Sequence, residues 1–309
     1  CFIIFNLFPI LAYAIMKILI AISSKKYSSQ TLEVGMRVAK AFNAKPTIVD
    51  VGDKINQFSL KEVGVAQERM ESWDLDRPGV EVLEWAFDFL SENKLIEKKE
   101  IESGFPKNTL IETGGRRSEV YLKGTVCDDV SLILRNGEII EELISEVQKE
   151  HYDVTIIGKS QSSKKDYELS QYIDSSIFIV NNYQFDRNYK ILLAIHESHF
   201  TKKAVKYSVR IAQAFNIGVN IIVIGKNNES IDGLKKAGKW SAKFLRRNKI
   251  SFSESFEIGD PVEVINKKAD KNHILIMSLE SNNPLKTFFK GNTPLKILKQ
   301  TQMTRARNW

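Results

Sequence analysis

A few groups of residues in this 309-residue chain could do chemistry. His196 and His199 flank Glu197 and Ser198 directly after an apolar run, a pattern that would suit a His-x-x-His metal pair or a Ser/His couple. Two imidazoles without a third ligand at suitable spacing, and without an Asp to orient them, make neither site, so the stretch reads as a polar strand-to-helix turn. Asp128-Asp129 and Glu141-Glu142 are paired carboxylates, but acid–base work needs a defined separation and pKa values pushed apart. Glu141 and Glu142 fall on the polar side of an amphipathic stretch, where solvation accounts for them. Cys127 stands beside Asp128, whose charge disfavours a thiolate. His151 and His273 each precede an apolar run and read as boundary residues. Lys235, Lys236, Lys239, Lys243, Arg246 and Arg247 form the densest basic strip, with Trp240, Phe244 and Leu245 between them; the aromatics read as core and the cations as a solvated face. No nucleophile, base or metal set emerges, which argues for a binding protein and against an enzyme.

The elements that must position these groups occur twice. Lys17–Val51 aligns without a gap on Lys190–Ile224, with 11 identities in 35 pairs, and many of the other pairs match apolar with apolar. Lys17-Ile18-Leu19-Ile20-Ala21-Ile22 returns as Lys190-Ile191-Leu192-Leu193-Ala194-Ile195, and Arg37–Asn43 returns as Arg210–Asn216. A repeat of this extent is a duplicated domain, not a solenoid unit. In the first copy the pattern predicts a buried strand over Lys17–Ile22 and a polar turn over Ser23–Tyr27. A helix carrying Leu32, Met36, Ala39 and Phe42 follows, then a strand over Thr47–Val51. Residues 53–130 depart from the repeat, with a helix over Val80–Leu90 and an irregular hairpin over Ile111–Val126. Strand Val130–Leu134, helix Ile139–Gln148 and strands Val154–Ile157 and Ile177–Val180 complete that copy. The second copy reads as strands 191–195, 220–224, 251–256 and 274–277 alternating with helices 202–215, 231–248 and 262–270, then a last helix over Thr293–Lys299.

The expected architecture is α/β: two doubly wound, mostly parallel sheets in tandem, with ligands at the carboxyl ends of the strands. The expected domains are 16–186, with a long insertion around 53–130, and 187–309. Cys1–Ile15 carries no charge and precedes Met16; it is expected to be upstream translated sequence or a fragment, and no part of the fold. Gln300–Trp309 has no apolar run, so the second copy is expected to be cut short. Two cysteines give no disulfide framework, which fits a reducing cytoplasm. Residues 1–186 hold 22 Lys+Arg against 29 Asp+Glu, and residues 187–309 hold 23 against 9. An acidic half and a basic half suggest two complementary surfaces; the rival, a nucleic-acid surface on the second half, lacks an aromatic-interleaved motif. The partners expected are therefore the other half of the same chain or a second copy in a homodimer, with no specific nucleic acid and no membrane.

These elements resemble the universal stress protein family in its tandem two-domain form. The resemblance is carried by the Lys-Ile-Leu-Leu-Ala-Ile strand at 190, the helix end Arg210–Phe215, Gly259-Asp260-Pro261, and Gly291-Asn292-Thr293-Pro294-Leu295-Lys296. It implies an adenine-nucleotide alpha hydrolase-like fold, a regulatory or stress-response role, and pairing of domains or subunits through a last strand, here Ile177–Val180. Many members bind ATP through a G-x2-G-x9-G-[S/T] loop after the fourth strand, where glycines let backbone N–H groups approach phosphate. The second copy keeps that spacing as Ser278-x2-Ser281-x9-Gly291-Asn292, with two glycines replaced by serine. The strand-end Asp of the family is His196 here, and Ser23 in the first copy. The first copy keeps only Gly158 of the loop, followed by Gln161, Ser170 and Gln171. The resemblance thus implies a weakened ATP site in the second domain, formed by Ala194, Ile195, His196, Met277, Ser278, Ser281, Gly291, Asn292 and Thr293, and none in the first. The alternative is a nucleotide-independent scaffold that uses the two oppositely charged halves.

Overall fold

The computed structural model describes residues 2–5, 15–52, 79–105, 111–112, 117–127, 129–158, 173, 175–180, 183–184, 186–195, 201–225, 231–270 and 272–278. In chain order they form β1 (Phe2–Phe5), β2 (Lys17–Ile22), α1 (Lys25–Phe42), β3 (Lys45–Gly52), α2 (Val80–Glu92) and α3 (Lys98–Ser103). Next come β4 (Ile111–Glu112), β5 (Arg117–Lys123), β6 (Asp129–Asn136), α4 (Ile139–Glu150), β7 (Val154–Gly158) and β8 (Ser176–Val180). The second copy supplies β9 (Lys190–Ile195), α5 (Thr201–Phe215), β10 (Val219–Gly225), α6 (Ile231–Arg247), β11 (Phe252–Ile258), α7 (Pro261–Lys268) and β12 (His273–Ser278). The short apolar runs thus became strands and the 3.6-period segments became helices, in a mixed α/β fold dominated by parallel pairing.

The chain divides into two compact units, Ile15–Tyr152 and Asp153–Trp309 together with Cys1–Ala14. In the first, the strand order is β2-β3-β6-β5-β4. β2, β3 and β6 run parallel, and β5 and β4 fold back antiparallel on β6. Strands covered on both faces cannot alternate polar and apolar residues, and Ile18, Leu19 and Ile20 are accordingly all fully buried. In the second unit the order is β11-β10-β9-β12-β1-β8-β7. Its centre is as apolar, with Ile191, Leu193, Ile274 and Ile276 fully buried. β11 stands at the edge and is exposed along much of its length.

The duplication is visible in backbone detail. Ile18 faces Pro46 across β2–β3, and Ile191, its repeat counterpart, faces Val219, the counterpart of Pro46, across β9–β10. α1 ends on Asn43 at φ 49°, and α5 is followed by Asn216 at φ 51°, the same residue in the same left-handed conformation. Each helix is closed by the same backbone bonds: Ala44 N–H to the Ala39 carbonyl (2.9 Å), and Ile217 N–H to the Ala212 carbonyl (3.0 Å). The repeat Arg-(Val/Ile)-Ala-x-Ala-Phe-Asn is therefore a helix terminus with its cap.

Two expectations differ from the structure. Cys1–Ile15 was expected to stand apart from the fold, yet Phe2–Phe5 is a strand inside the second unit's sheet. It pairs parallel with β12, Phe2 opposite Leu275, and antiparallel with β8, Phe2 opposite Ile179. Phe-Ile-Ile-Phe has the β-branched and aromatic composition that suits such a slot. The second difference is the division at 152/153 instead of 186/187. β8 pairs with β1 and β7 pairs with β8, so strand pairing ties both to the later unit. The expected helix over Thr293–Lys299 lies outside the described residues, as do residues 53–78 of the insertion; α3 was not foreseen.

Replacing Ile3 by Pro removes a donor from a strand with neighbours on both sides and lowers the thermal unfolding midpoint. Phe178→Ala, in the fully buried centre of β8, lowers stability by about 3–5 kcal/mol in urea titration. An unchanged midpoint for Ile3→Pro would place Phe2–Phe5 outside the sheet.

Candidate functional site

Parallel strands end together, and the backbone groups beyond their carboxyl ends are where such folds hold ligands. In the second unit β9 and β12 are neighbours, with Met277 opposite Ala194. Ile195 lies opposite Val223 on β10. The side chains of Ala194 and Met277 sit in a buried cluster with Leu192, Ile222, Ile224, Ile265 and Leu275, beneath α7. They are floor, and any polar contact there comes from backbone groups. Ser278 is the last residue of β12. His196, Ser281, Gly291, Asn292 and Thr293 lie outside the described residues, so the structure brings together Ala194, Ile195, Met277 and the backbone of Ser278 alone. Next to this end, Gly259 N–H donates to the Gly225 carbonyl (2.9 Å), and Asp260 caps α7 by accepting from Glu263 N–H at 3.1 Å.

At the equivalent end of the first unit, described side chains engage the backbone. The turn after β2 offers the N–H groups of Ser23 and Ser24, and both donate to Ser28 Oγ, at 2.8 and 3.4 Å. Amides engaged this way are not free for an anion. On β3, Asp50 is buried, and its carboxylate lies against the start of α2. A Cβ on Gly79, which has φ 99°, would fall 2.5 Å from Asp50 Oδ2 and 2.5 Å from Leu134 Cδ1. Only glycine can begin α2 there, and the helix's amino end faces a resident carboxylate instead of a phosphate.

The strongest polar constellation among the described residues was not foreseen. Arg117 on β5 and Arg135 on β6 are directly opposite in the strand register. Both are buried, and two guanidinium groups so placed would repel. Glu146 of α4, with no exposed surface, reaches between them. It accepts from Arg117 Nε (3.1 Å), Arg135 Nη1 (2.6 Å) and the Tyr152 hydroxyl (3.0 Å). Glu119 pairs with Arg117, and Glu142 accepts from Arg135 Nε at 2.7 Å. Gly137, at φ 159°, leaves room for Glu142: a Cβ there would meet its carboxylate at 2.6 Å. Burial pushes the Glu146 carboxyl up, but the bonds and charges of Arg117 and Arg135 outweigh it and hold the group below its ordinary value. Burial and the nearby Glu146 charge push the Tyr152 phenol well up, so it stays a neutral donor. The donors and acceptors are matched to one another, so the cluster clamps α4 onto the β5–β6 hairpin and offers no poised acid or base. A signal was present in the sequence: Glu146 lies between Leu143 and Val147, on the buried stripe of its helix.

The other singled-out residues take structural places. Glu141 is in the first turn of α4, and His151 is its left-handed C-cap. Asp129 bridges Lys45 and Lys123 at 3.2 and 2.6 Å, and Cys127 is buried. His273 opens β12, at the end away from Ser278, and is held by Asp270 (2.9 Å) and Asn220 (3.1 Å). Asp128 and His199 lie outside the described residues. Among the described residues no cluster of His, Cys, Asp and Glu could hold a metal ion, and no helix is long and apolar enough to cross a membrane.

Glu146→Ala removes the acceptor shared by two buried guanidinium groups, leaving Arg117 with Glu119 and Arg135 with Glu142, and lowers stability by about 3 kcal/mol in urea titration at neutral pH. Because the folded-state pKa of Glu146 is depressed, its contribution is complete above the unfolded value, about 4.3, and is lost as pH falls through the folded one. The wild type therefore weakens more steeply on acidification below about pH 4 than Glu146→Gln does.

No family model and no curated protein matches this chain. Solved structures do. A Pseudomonas aeruginosa UCBPP-PA14 protein, provisionally named a universal stress protein, is 14% identical with a TM-score of 0.54, over 92% of this chain and 90% of its own. A protein of unknown function from Pseudomonas aeruginosa PAO1 is 13% identical with a TM-score of 0.52, over 92% of this chain and 89% of its own. At this identity the likeness speaks for architecture alone, and the chain has the fold of the universal stress proteins.

Proposed function

We propose that the chain is a universal-stress-type regulatory protein that binds and does not turn over its ligand, with a weakened adenine-nucleotide site in the second unit and none in the first. The observation that carries this reading is the in-register end of β9 and β12, Ala194 beside Met277, followed by the retained spacing Ser278-x2-Ser281-x9-Gly291-Asn292. Buried Ala194, Ile195 and Met277 would form an apolar floor for a base, and the backbone from Ser278 to Thr293 would approach the phosphates. His196 stands where the family has an Asp, so a charged acceptor for the nucleoside is missing, a loss of about 1–3 kcal/mol. Serine in place of glycine at 278 and 281 keeps the amide donors but narrows the backbone's choice of φ. In the first unit, Ser28 and Asp50 stand where a ligand would need free amides and an uncharged mouth.

Calorimetry on the full chain tests this. ATP binds in the range of about 0.1–1 mM, one site per chain, and Ser278→Gly with Ser281→Gly tightens it several-fold. Gly291→Val abolishes the heat. An absence of heat with ATP at millimolar concentration, or a glycine double variant no tighter than wild type, would overturn the reading and leave the nucleotide-independent scaffold in its place.

A further inference from the structure

The basic strip on α6 is more than a solvated face. Lys235, Lys236, Lys239, Lys243, Arg246 and Arg247 are all exposed, and the helix carries one acid, Asp232. Among the described residues none of these six cations holds an ion pair; Arg246 lies over the Phe252 ring at 5.6 Å. α5, packed against α6, adds the exposed row Lys202, Lys206 and Arg210 at four-residue spacing. Sequence reading places Trp240 and Phe244 in the core, but both are only half-buried. Their rings stack on each other with centroids 5.3 Å apart and planes 18° from parallel, at the border of the cationic face. Leu245, by contrast, is fully buried as expected.

We infer that this face of α6 binds single-stranded nucleic acid, without sequence preference. Concentrated cations, well in excess of Asp232 and of the Glu254 carboxylate beside Gly238, create a field that draws a polyanion. Partly exposed stacked aromatics beside them supply what a polyanion of phosphates alone would not need, a platform for unpaired bases. A lipid surface fits less well, because an interfacial helix needs a free apolar face. Here that face, with Leu234, Ala242 and Leu245, is buried as the helix packs on β9, β10 and β11. A duplex hides its bases and has no use for the Trp–Phe pair. This surface does not depend on the nucleotide reading: no residue of it belongs to the ends of β9 or β12.

The test is fluorescence anisotropy of labelled oligo(dT) and oligo(U) with the full chain. Binding weakens with salt at a log–log slope of about −2 to −3, as expected when three or four phosphates are neutralised. Lys236→Glu with Lys239→Glu and Lys243→Glu, all exposed and hence compatible with folding by circular dichroism, reduces affinity at least tenfold. Trp240→Leu loses about fivefold for oligo(dT) but leaves heparin binding unchanged, whereas Trp240→Tyr retains both. No binding in low salt, full affinity in the triple variant, or equal affinity for duplex DNA or phosphatidylserine vesicles would each overturn the assignment.

Discussion

Parallel pairing among strands buried on both faces is the constraint from which the rest of this molecule follows. Strands such as Ile18–Ile20 and Ile274–Ile276 have no polar face to offer, and β2 returns to β3, β9 to β10 and β10 to β11 through a helix packed on the sheet. Chemistry is thereby excluded from the middle of the sheet and confined to the turns at the strand ends. The two copies present the same scaffold for that purpose, down to the left-handed Asn that ends the first helix of each.

The described strand ends of the first copy carry contacts of their own. Ser28 engages the amides after β2, Asp50 faces the start of α2, and a buried Arg–Glu network fixes α4 to an added hairpin. These contacts hold the first unit's own elements together. Their strength is collective: a carboxylate between two opposed guanidinium groups is favourable only when every partner is present. The second copy has no such hairpin in its described sheet, where β10 is followed directly by the edge strand β11. It carries its charge outside instead, on α6.

Much of the fold was legible because it rests on local pattern. Apolar runs with β-branched residues gave β2, β3, β9, β10 and β12 to within a residue or two, and Leu32, Met36, Ala39 and Phe42 marked α1 by period alone. Long-range pairing was not legible. Nothing local says that Phe-Ile-Ile-Phe at the start of the chain pairs with β12 and β8, nearly the length of the chain away. The charge network was missed for a related reason: Arg117 and Arg135 meet only through hairpin register, although Glu146 on a buried stripe was a visible clue. For the candidate site, the strand end Ala194 could be read from the repeat and Met277 from its apolar run, but that their side chains belong to the core beneath α7 required the third dimension. That Trp240 and Phe244 sit at the edge of the apolar stripe and Leu245 at its centre is not legible from helical spacing alone.

The most direct test of a ligand mouth kept in one copy and closed in the other is hydrogen–deuterium exchange of the full chain with and without saturating ATP. The account predicts slower exchange in peptides covering residues 194–200 and 277–293, and no change over residues 22–28. Slower exchange at 22–28, or none at either strand end, would contradict it.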